Sequence, residues 1–251
     1  MLRPRPEMAN EAVGVYARLS AVAATLGIVC RGGFVLEPGE ELPEVDAGRP
    51  SRTLVLLGFG AMQWSVFAAS AEFADGQPHP LDRWSVRVIG QLGTLFGARP
   101  LYPFGGPPWW PFQSWAQRAE VLHSSPLRIL MHPRFGLWHA YRGALLFAGE
   151  FALPPRMSWP SPCESCATKP CIASCPAGAV TPNGFDRAAC AAHVASPQGI
   201  ACRSGCLSRG TCPVAVSHRY STEQATFHMQ QLSLAQSQET LSRELQGRWA
   251  D

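Results

Sequence analysis

The apolar positions in the first part of the chain predict a helix followed by a buried strand. Apolar residues at helical spacing follow Asn10, a candidate N-cap, and continue to about Leu26, where Gly27 ends the pattern. Thr53 to Leu57 form an unbroken apolar run, which is typical of a strand buried on both faces. The first part of the chain is therefore predicted to contain one helix and one buried strand.

Two further helices are predicted after this strand. The first is entered through Gly58-Phe59-Gly60 and ends near Glu72, and the second ends at Gly97. The apolar face of the second helix is formed by residues at helical spacing, namely Leu81, Trp84, Val88, Leu92 and Leu95.

The middle of the chain alternates between irregular and regular segments. Tyr102 to Phe112 contains five aromatic residues among prolines and glycines, so it should wrap an apolar surface, either of the protein itself or of a flat ligand. A short helix is predicted from Gln113 to Leu122. His132 to Phe151 is interpreted as two strands joined by a turn near Arg142-Gly143, and a proline-rich linker follows. Ser221 and Gln224 form a candidate capping box for a final helix.

Composition and charge narrow the class of protein. The chain has 46% hydrophobic and 16% charged residues. Its net charge of +3 argues neither for nor against a nucleic-acid partner. It contains no basic run of five or more residues, and no nucleic-acid partner is expected. Thr53 to Ala71 is uncharged, but Gly58 and Gly60 interrupt it, so no membrane span is expected. Ala21 to Cys30 lacks the small residue that precedes a signal-peptide cleavage site, which favours a cytoplasmic protein.

Eight of the nine cysteines lie in two runs of the C-terminal third. The first run is Cys163-x2-Cys166-x4-Cys171-x3-Cys175-Pro176, and the second is Cys202-x3-Cys206-x5-Cys212-Pro213, preceded by Cys190. Bacterial two-cluster ferredoxins have runs that end in Cys-Pro, whose last thiolate serves the other cluster. The pattern therefore predicts two [4Fe–4S] clusters with crossed ligands.

We assign four thiolates to each cluster. The first set is Cys163, Cys166, Cys171 and Cys212, and the second set is Cys175, Cys190, Cys202 and Cys206. Two zinc sites and a disulfide framework are the alternatives, although zinc sites usually use separated C-x2-C pairs. Cys30, which stands alone at the end of an apolar helix, is interpreted as a buried core thiol.

Two known families share motifs with this sequence. The stretch His132-Pro133-Arg134-Phe135-Gly136-Leu137-Trp138, which continues to Leu146, resembles a segment of the cobalamin-processing CblC family, and Arg219 to Gln224 resembles another. The cysteine region resembles the ferredoxin part of epoxyqueuosine reductase, which also has an isolated cysteine where Cys190 stands.

These resemblances imply an α+β fold, with a nitroreductase-like cobalamin-binding sandwich at residues 1–158. A small two-[4Fe–4S] ferredoxin-like domain at residues 159–218 and a helical tail at residues 219–251 would follow. Cobalamin would bind base-off, and flavin is compatible with such a fold although no motif requires it. The positions that match the cobalamin surface are Phe104, Gly105, Phe112, Trp115, His132, Phe135, Gly136, Trp138, Tyr141 and Arg142; for each aromatic residue alone, core packing is the alternative.

The resemblance implies a redox function. We expect an iron–sulfur protein that takes electrons from a low-potential donor and reduces cobalamin or removes its upper axial ligand. The alternatives are an electron-transfer ferredoxin without cobalamin and a cobalamin-dependent reductase of an organic substrate. Epoxyqueuosine reduction is not expected, because Pro100 to Phe112 contains no acidic proton donor and the helical repeat tail of that family is missing.

Overall fold

The structure, a computed structural model, describes residues 6–232, with side chains from residue 14 onward. Within this part, unit 1 comprises residues 6–122 and 139–159, and unit 2 comprises residues 123–138 and 160–232. The predicted boundary after residue 158 lies one residue from the division at 159/160. Segment 123–138 was assigned to the first domain, but it belongs with the cysteine region. Of the predicted tail, residues 233–251 lie outside the described residues.

The fold is mixed, with helices and small antiparallel sheets. The strands are β1 (Val29–Val35), β2 (Thr53–Gly60), β3 (Arg99–Leu101), β4 (His123–Ser124), β5 (Leu130–Met131), β6 (His139–Phe147), β7 (Val180–Thr181) and β8 (Gly184–Phe185). The helices are α1 (Pro6–Thr25), α2 (Trp64–Ala68), α3 (Ala71–Ala74), α4 (Pro80–Phe96), α5 (Phe112–Ala119), α6 (Pro162–Ser165), α7 (Pro170–Ala173), α8 (Arg187–Ala195), α9 (Ile200–Arg203) and α10 (Leu207–Gly210). Residues 222–232 are also helical.

Unit 1 is built on a four-stranded antiparallel sheet with the order β1-β2-β6-β3. Strand β2 is buried along its whole length, which confirms the interpretation of its apolar run. Phe59 of β2 packs edge-to-face against Phe67 of α2 and Trp84 of α4, with ring centroids 6.1 and 5.6 Å apart. The core of unit 1 therefore lies between this sheet and its helices.

Arg142 and Gly143 lie within one continuous strand, so the predicted turn at this position is wrong. Strand β6 pairs with β2 on both sides of the pair, and the register shifts so that Leu57 faces Gly143 while Gly58 faces Tyr141. Arg142 is therefore the extra residue of a β-bulge. A Cβ atom at Gly143 would lie 2.6 Å from Cδ1 of Ile89. A glycine at this position therefore allows α4 to pack closely against the strand, and it does not form a turn.

The helix predictions hold in outline but differ at their ends. Helix α1 begins at Pro6, so residue 10 lies inside the helix rather than at its cap. The helix predicted to end near Glu72 is divided into α2 and α3, because the Ser70 hydroxyl accepts a hydrogen bond from the backbone of Phe73 and begins a new helix. Helix α4 ends at Gly97 as predicted, but Leu95 is 66% exposed and does not belong to its buried face.

Unit 2 consists of short elements and tight turns. His132 and Gly136 pair across a turn in which Nδ1 of His132 accepts hydrogen bonds from the backbone N–H groups of Arg134 and Phe135. The beginning of the predicted strand region is therefore a loop of unit 2. Across the described residues, no helix has the length and apolar character needed to cross a membrane.

Candidate iron–sulfur centres

The cysteines of the first set lie on the short helices and turns that begin and end the cysteine region. Cys163 is on α6, Cys166 follows that helix, Cys171 is on α7, and Cys212 follows α10 directly before Pro213. All four line one small cavity of about 30 Å³. The rest of its wall is mainly apolar and includes Pro126 and Met131 of segment 123–138.

The electrostatics of the first set show that its thiols are close neighbours. Burial raises the pKa of Cys163, and the sulfur atoms of Cys212, Cys171 and Cys166 raise it further. The pKa of Cys171 is raised by burial and then by Cys212 and Cys166. Gathering four thiols at one place therefore opposes their ionisation, and a bound cation would offset this cost.

The second set is brought together in the same way by different elements. Cys175 follows α7, Cys190 is on α8, Cys202 is on α9, and Cys206 is the N-cap of α10. Burial raises the pKa of Cys190 to about 11, and Cys206, Cys175 and Cys202 add to the shift. The pKa of Cys202 is raised by burial and then by Cys206.

Backbone N–H groups point at several of these sulfur atoms. Burial raises the pKa of Cys175, but hydrogen bonds from Val180, Ala177 and Ala179 and from the Ser208 side chain more than offset it, so this pKa lies below its usual value. Similar backbone bonds reach Cys212 from Val214 and Cys202 from Leu207. Hydrogen bonds to sulfur stabilise negative charge, and they tune the potential of iron–sulfur clusters.

No three His, Cys, Asp or Glu side chains within the described residues are arranged to hold a single metal ion. A [4Fe–4S] cluster makes a different demand, because its four irons take four cysteine thiolates. Cys30 lies apart from both sets, on β1 of unit 1, where burial raises its pKa to about 11 and the Ser20 hydroxyl contacts its sulfur. It is thus a strand residue rather than a helix-end residue.

The ten predicted cobalamin contacts divide between the two units. His132, Phe135, Gly136 and Trp138 belong to unit 2, whereas Phe104, Gly105, Phe112, Trp115, Tyr141 and Arg142 belong to unit 1.

The unit 2 members of this group pack against the chain that follows Cys212. Phe135 stacks on His132 and meets His218 edge-to-face, with centroids 4.6 and 5.2 Å apart. Trp138 is 5% exposed and contacts Tyr220, and the Arg209 guanidinium lies 4.6 Å from its ring centroid. These rings therefore join segment 123–138 to the end of the cysteine region.

In unit 1, two of the predicted contacts lie in the core. Phe112 and Trp115 of α5 are 6% and 8% exposed and pack on each other. Trp110 stacks on Trp115 with centroids 5.9 Å apart, and Trp109 is 71% exposed. Trp109 and Trp110, which sequence reasoning did not select, thus offer more ring surface than the buried pair.

The other unit 1 members are held by charged networks. Arg142 bonds to Asp82 and to the Ser85 hydroxyl, and its guanidinium lies 5.0 Å from the Phe104 ring centroid. Gly105 follows in a left-handed conformation with φ of 77°.

Tyr141 belongs to a network that sequence reasoning missed. Its hydroxyl donates to a Glu120 carboxylate oxygen at 2.5 Å, and Arg31 binds the same carboxylate through Nε and Nη2. The only sequence signal was the position of Glu120, an acid directly after the aromatic segment and its helix.

Comparisons with known proteins find similarity to solved structures. No protein-family model matches the chain, and no curated protein matches it. The chain is similar to a solved structure, the crystal structure of epoxyqueuosine reductase with an epoxyqueuosine-modified tRNA-Tyr stem loop. The identity is 14% and the TM-score 0.44, over 83% of this chain and 67% of that chain.

The expectation that nucleic acid is not a partner is corrected by this comparison. The similar structure was solved with a tRNA stem loop. The absence of a long basic run was too weak a signal for that exclusion, since proteins also bind nucleic acid through basic residues that only the fold brings together.

Proposed function

We propose that this chain is an iron–sulfur redox protein that holds two [4Fe–4S] clusters in unit 2 and reduces cobalamin or removes its upper ligand. The observation that carries the proposal is the grouping of eight cysteines into two sets of four. Within each set, the neighbouring thiols raise one another's pKa. A [4Fe–4S] cluster supplies one-electron transfer at a potential set by burial and hydrogen bonds to sulfur.

The residues present fit such clusters. Each set supplies four thiols, the number that one [4Fe–4S] cluster needs. Backbone N–H groups donate to Cys175 and Cys212, one from each set, and so favour the thiolate form. The apolar wall around the first set, which includes Met131 and Pro126, would exclude water from a cluster there.

Cobalamin is proposed as the substrate on the strength of the CblC-like motif and of the exposed aromatic segment. Tyr102 and Phe104 stack with centroids 5.4 Å apart, and Trp109 presents its ring to solvent. Such rings can cover the faces of a flat ligand. One electron would go to the cobalt of this substrate, and an upper ligand such as cyanide would leave with its bonding electron pair.

The decisive experiment is metal analysis of protein purified without air, followed by titration with hydroxocobalamin. We expect about eight irons with matching labile sulfide per chain, a reduced-state paramagnetic resonance signal, and a change in the visible spectrum of cobalamin. Zinc in place of iron would refute the cluster proposal. Iron without any spectral change on titration would instead favour an electron-transfer ferredoxin.

The third candidate is a reductase that uses cobalamin as a cofactor for an organic substrate. In this candidate the organic compound is consumed and cobalamin is regenerated, whereas in the main proposal cobalamin itself is the substrate. Stoichiometric change of the cobalamin ligand supports cobalamin as substrate, whereas repeated turnover of an organic compound with cobalamin recovered unchanged supports the reductase.

A further inference from the structure

A groove of about 300 Å³ lies in unit 2 beside the first cysteine set. It shares Pro126, Cys163 and Lys169 with the cavity that the four thiols line, so these residues form the wall between the two. The groove is also lined by Arg128, Glu164 and several hydroxyl groups. An occupant of this groove would therefore lie next to the ligand shell of the first cluster.

Two cations are held at this groove by hydrogen bonds to backbone carbonyls. Nζ of Lys169 donates to the carbonyl oxygen of Cys163 at 2.8 Å, and Nη2 of Arg128 donates to that of Asn183 at 3.2 Å. Both residues have left-handed backbone conformations, with φ of 38° and 58°. This conformation is unfavourable for a residue that has a side chain, and such residues cluster at functional sites. Of the four non-glycine residues with positive φ in the described chain, two line this groove.

The unit that holds the groove has more basic than acidic residues. The described part of unit 2 carries seven basic residues and three acidic ones. The basic residues are Arg128, Arg134, Lys169, Arg187, Arg203, Arg209 and Arg219, and the acidic ones are Glu164, Asp186 and Glu223. The net positive charge of the unit should steer a large acidic partner more effectively than it selects a small ligand.

We propose that this groove is the docking site of an acidic one-electron redox protein, and that electrons enter the chain here through the first cluster. The inference rests on the proposed two-cluster function. In the transfer the donor is oxidised by one electron and the cluster is reduced by one, and no bond is formed or broken. A protein carrying flavin or an iron–sulfur cluster meets this requirement, because it can donate electrons singly.

The test compares two electron donors. Reduced flavodoxin is an acidic protein donor that needs to dock, whereas photoreduced 5-deazaflavin is a small donor that does not. At low ionic strength, Arg128→Glu should slow cluster reduction by flavodoxin at least about tenfold, and Arg128→Gln should slow it by a smaller factor. Reduction by deazaflavin should keep the wild-type rate, and 1 M salt should remove the difference because it screens charge beyond about 3 Å.

Arg134→Glu is the matched control. Arg134 is an exposed cation of unit 2 that does not line the groove, and its guanidinium lies over the Phe135 ring. This variant makes the same change in net charge as Arg128→Glu and should slow flavodoxin much less than Arg128→Glu does. Equal slowing by these two variants, or wild-type rates in the groove variants, would overturn the docking site.

The lysine content permits a second, independent measurement. Lys169 is the only lysine in the sequence. A carbodiimide, which joins a carboxylate to an amine, should therefore link flavodoxin to this chain through Lys169, as located by mass spectrometry. Cross-links confined to the N-terminal amine would contradict the proposal.

Failure of the two-cluster function and failure of the docking site give different results. Protein that lacks iron refutes the two-cluster function itself. Protein with about eight irons whose groove variants accept electrons from flavodoxin as fast as the wild type refutes only the docking site. Slowing with both donors would show that the variants damage the cluster, and it would also overturn the docking site.

Discussion

Lys169 and Cys163 are joined by a hydrogen bond, in which the ammonium group donates to the backbone carbonyl oxygen of the cysteine at 2.8 Å. The bond closes the loop between the first and third thiols of the first set, and the positive charge lowers the pKa of the Cys163 thiol against the larger effect of burial. One side chain thus both shapes the cage of thiols and forms part of the wall towards the groove.

The assignment of thiols to two sets predicts losses of iron in units of one cluster. Cys166→Ala and Cys190→Ala should each reduce the iron content from about eight to about four, because each removes a ligand of a different cluster. Iron analysis and paramagnetic resonance of the reduced protein measure this. Cys30→Ala is the control and should retain all the iron, since Cys30 lies in unit 1. Loss of iron from the control would contradict the assignment.

The turn between α8 and α9 should be essential for the second set alone. A Cβ atom at Gly199 would overlap the backbone carbonyl of His193, so Gly199→Ala has to shift the turn that separates Cys190 from Cys202. We expect about half of the iron to be lost. Gly210→Ala is the matched control in the same unit, because a Cβ atom there meets no atom within 4 Å, and its iron content should be unchanged.

The buried ion pair of unit 1 should contribute strongly to its stability. The side chains of Arg31 and Glu120 are 2% and 17% exposed, and Tyr141 donates to the same carboxylate. Glu120→Gln removes the carboxylate charge that the buried guanidinium faces, which should lower the free energy of unfolding by about 3–5 kcal/mol. Denaturant unfolding followed by tryptophan fluorescence measures the change. Asp46→Asn breaks an exposed pair with Arg49 and should change stability little.

Cys30 should make unit 1 sensitive to alkaline pH. Burial raises the pKa of this thiol from 9.0 to about 11, so the folded state retains a proton that the unfolded state releases. The stabilising contribution is therefore complete below pH 9 and is lost as the pH rises towards 11. The free energy of unfolding of Cys30→Ala should fall less steeply than that of the wild type over this interval. Identical slopes would show that the thiol is not shielded from water.

Substitution of an exposed and of a buried tryptophan should distinguish a cobalamin-binding surface from core packing. Trp109→Ala removes an exposed ring and should weaken cobalamin binding about three- to tenfold, with the iron content unchanged. Trp138→Ala removes a buried ring that contacts Tyr220 and Arg209 in unit 2, so it should destabilise that unit and lower the iron content. Unchanged cobalamin affinity in Trp109→Ala would count against this surface.

Local sequence rules predicted the elements whose structure depends on local chemistry. The spacing of the cysteines predicts two sets of four thiols, and their role as cluster ligands stays a prediction. The apolar run at Thr53 and the left-handed Gly97 gave strand β2 and the end of helix α4. Such features depend only on residues that are neighbours in the sequence, so the pattern of one short stretch is sufficient to predict them.

Features that depend on distant partners were missed. Arg142-Gly143 resembles a turn in sequence, and only the pairing with β2 and the approach of Ile89 make it a bulge. For Trp138 the sequence left a ligand contact and core packing open, and its contacts with Arg209 and Tyr220 come from positions far along the chain. The pair of Arg31 and Glu120 is separated by 89 positions, which no local pattern can reveal.

Because unit 2 is assembled from two separated stretches of the chain, its cysteine region should not fold by itself. A fragment expressed from residue 160 onward would lack Met131 and Pro126, which line the first cavity, and Trp138, which packs on Arg209. On the ribosome, the stretch 123–138 emerges before β6 completes the sheet of unit 1, and it has to wait for the cysteines that follow. Grafting the region onto another protein would therefore require both stretches.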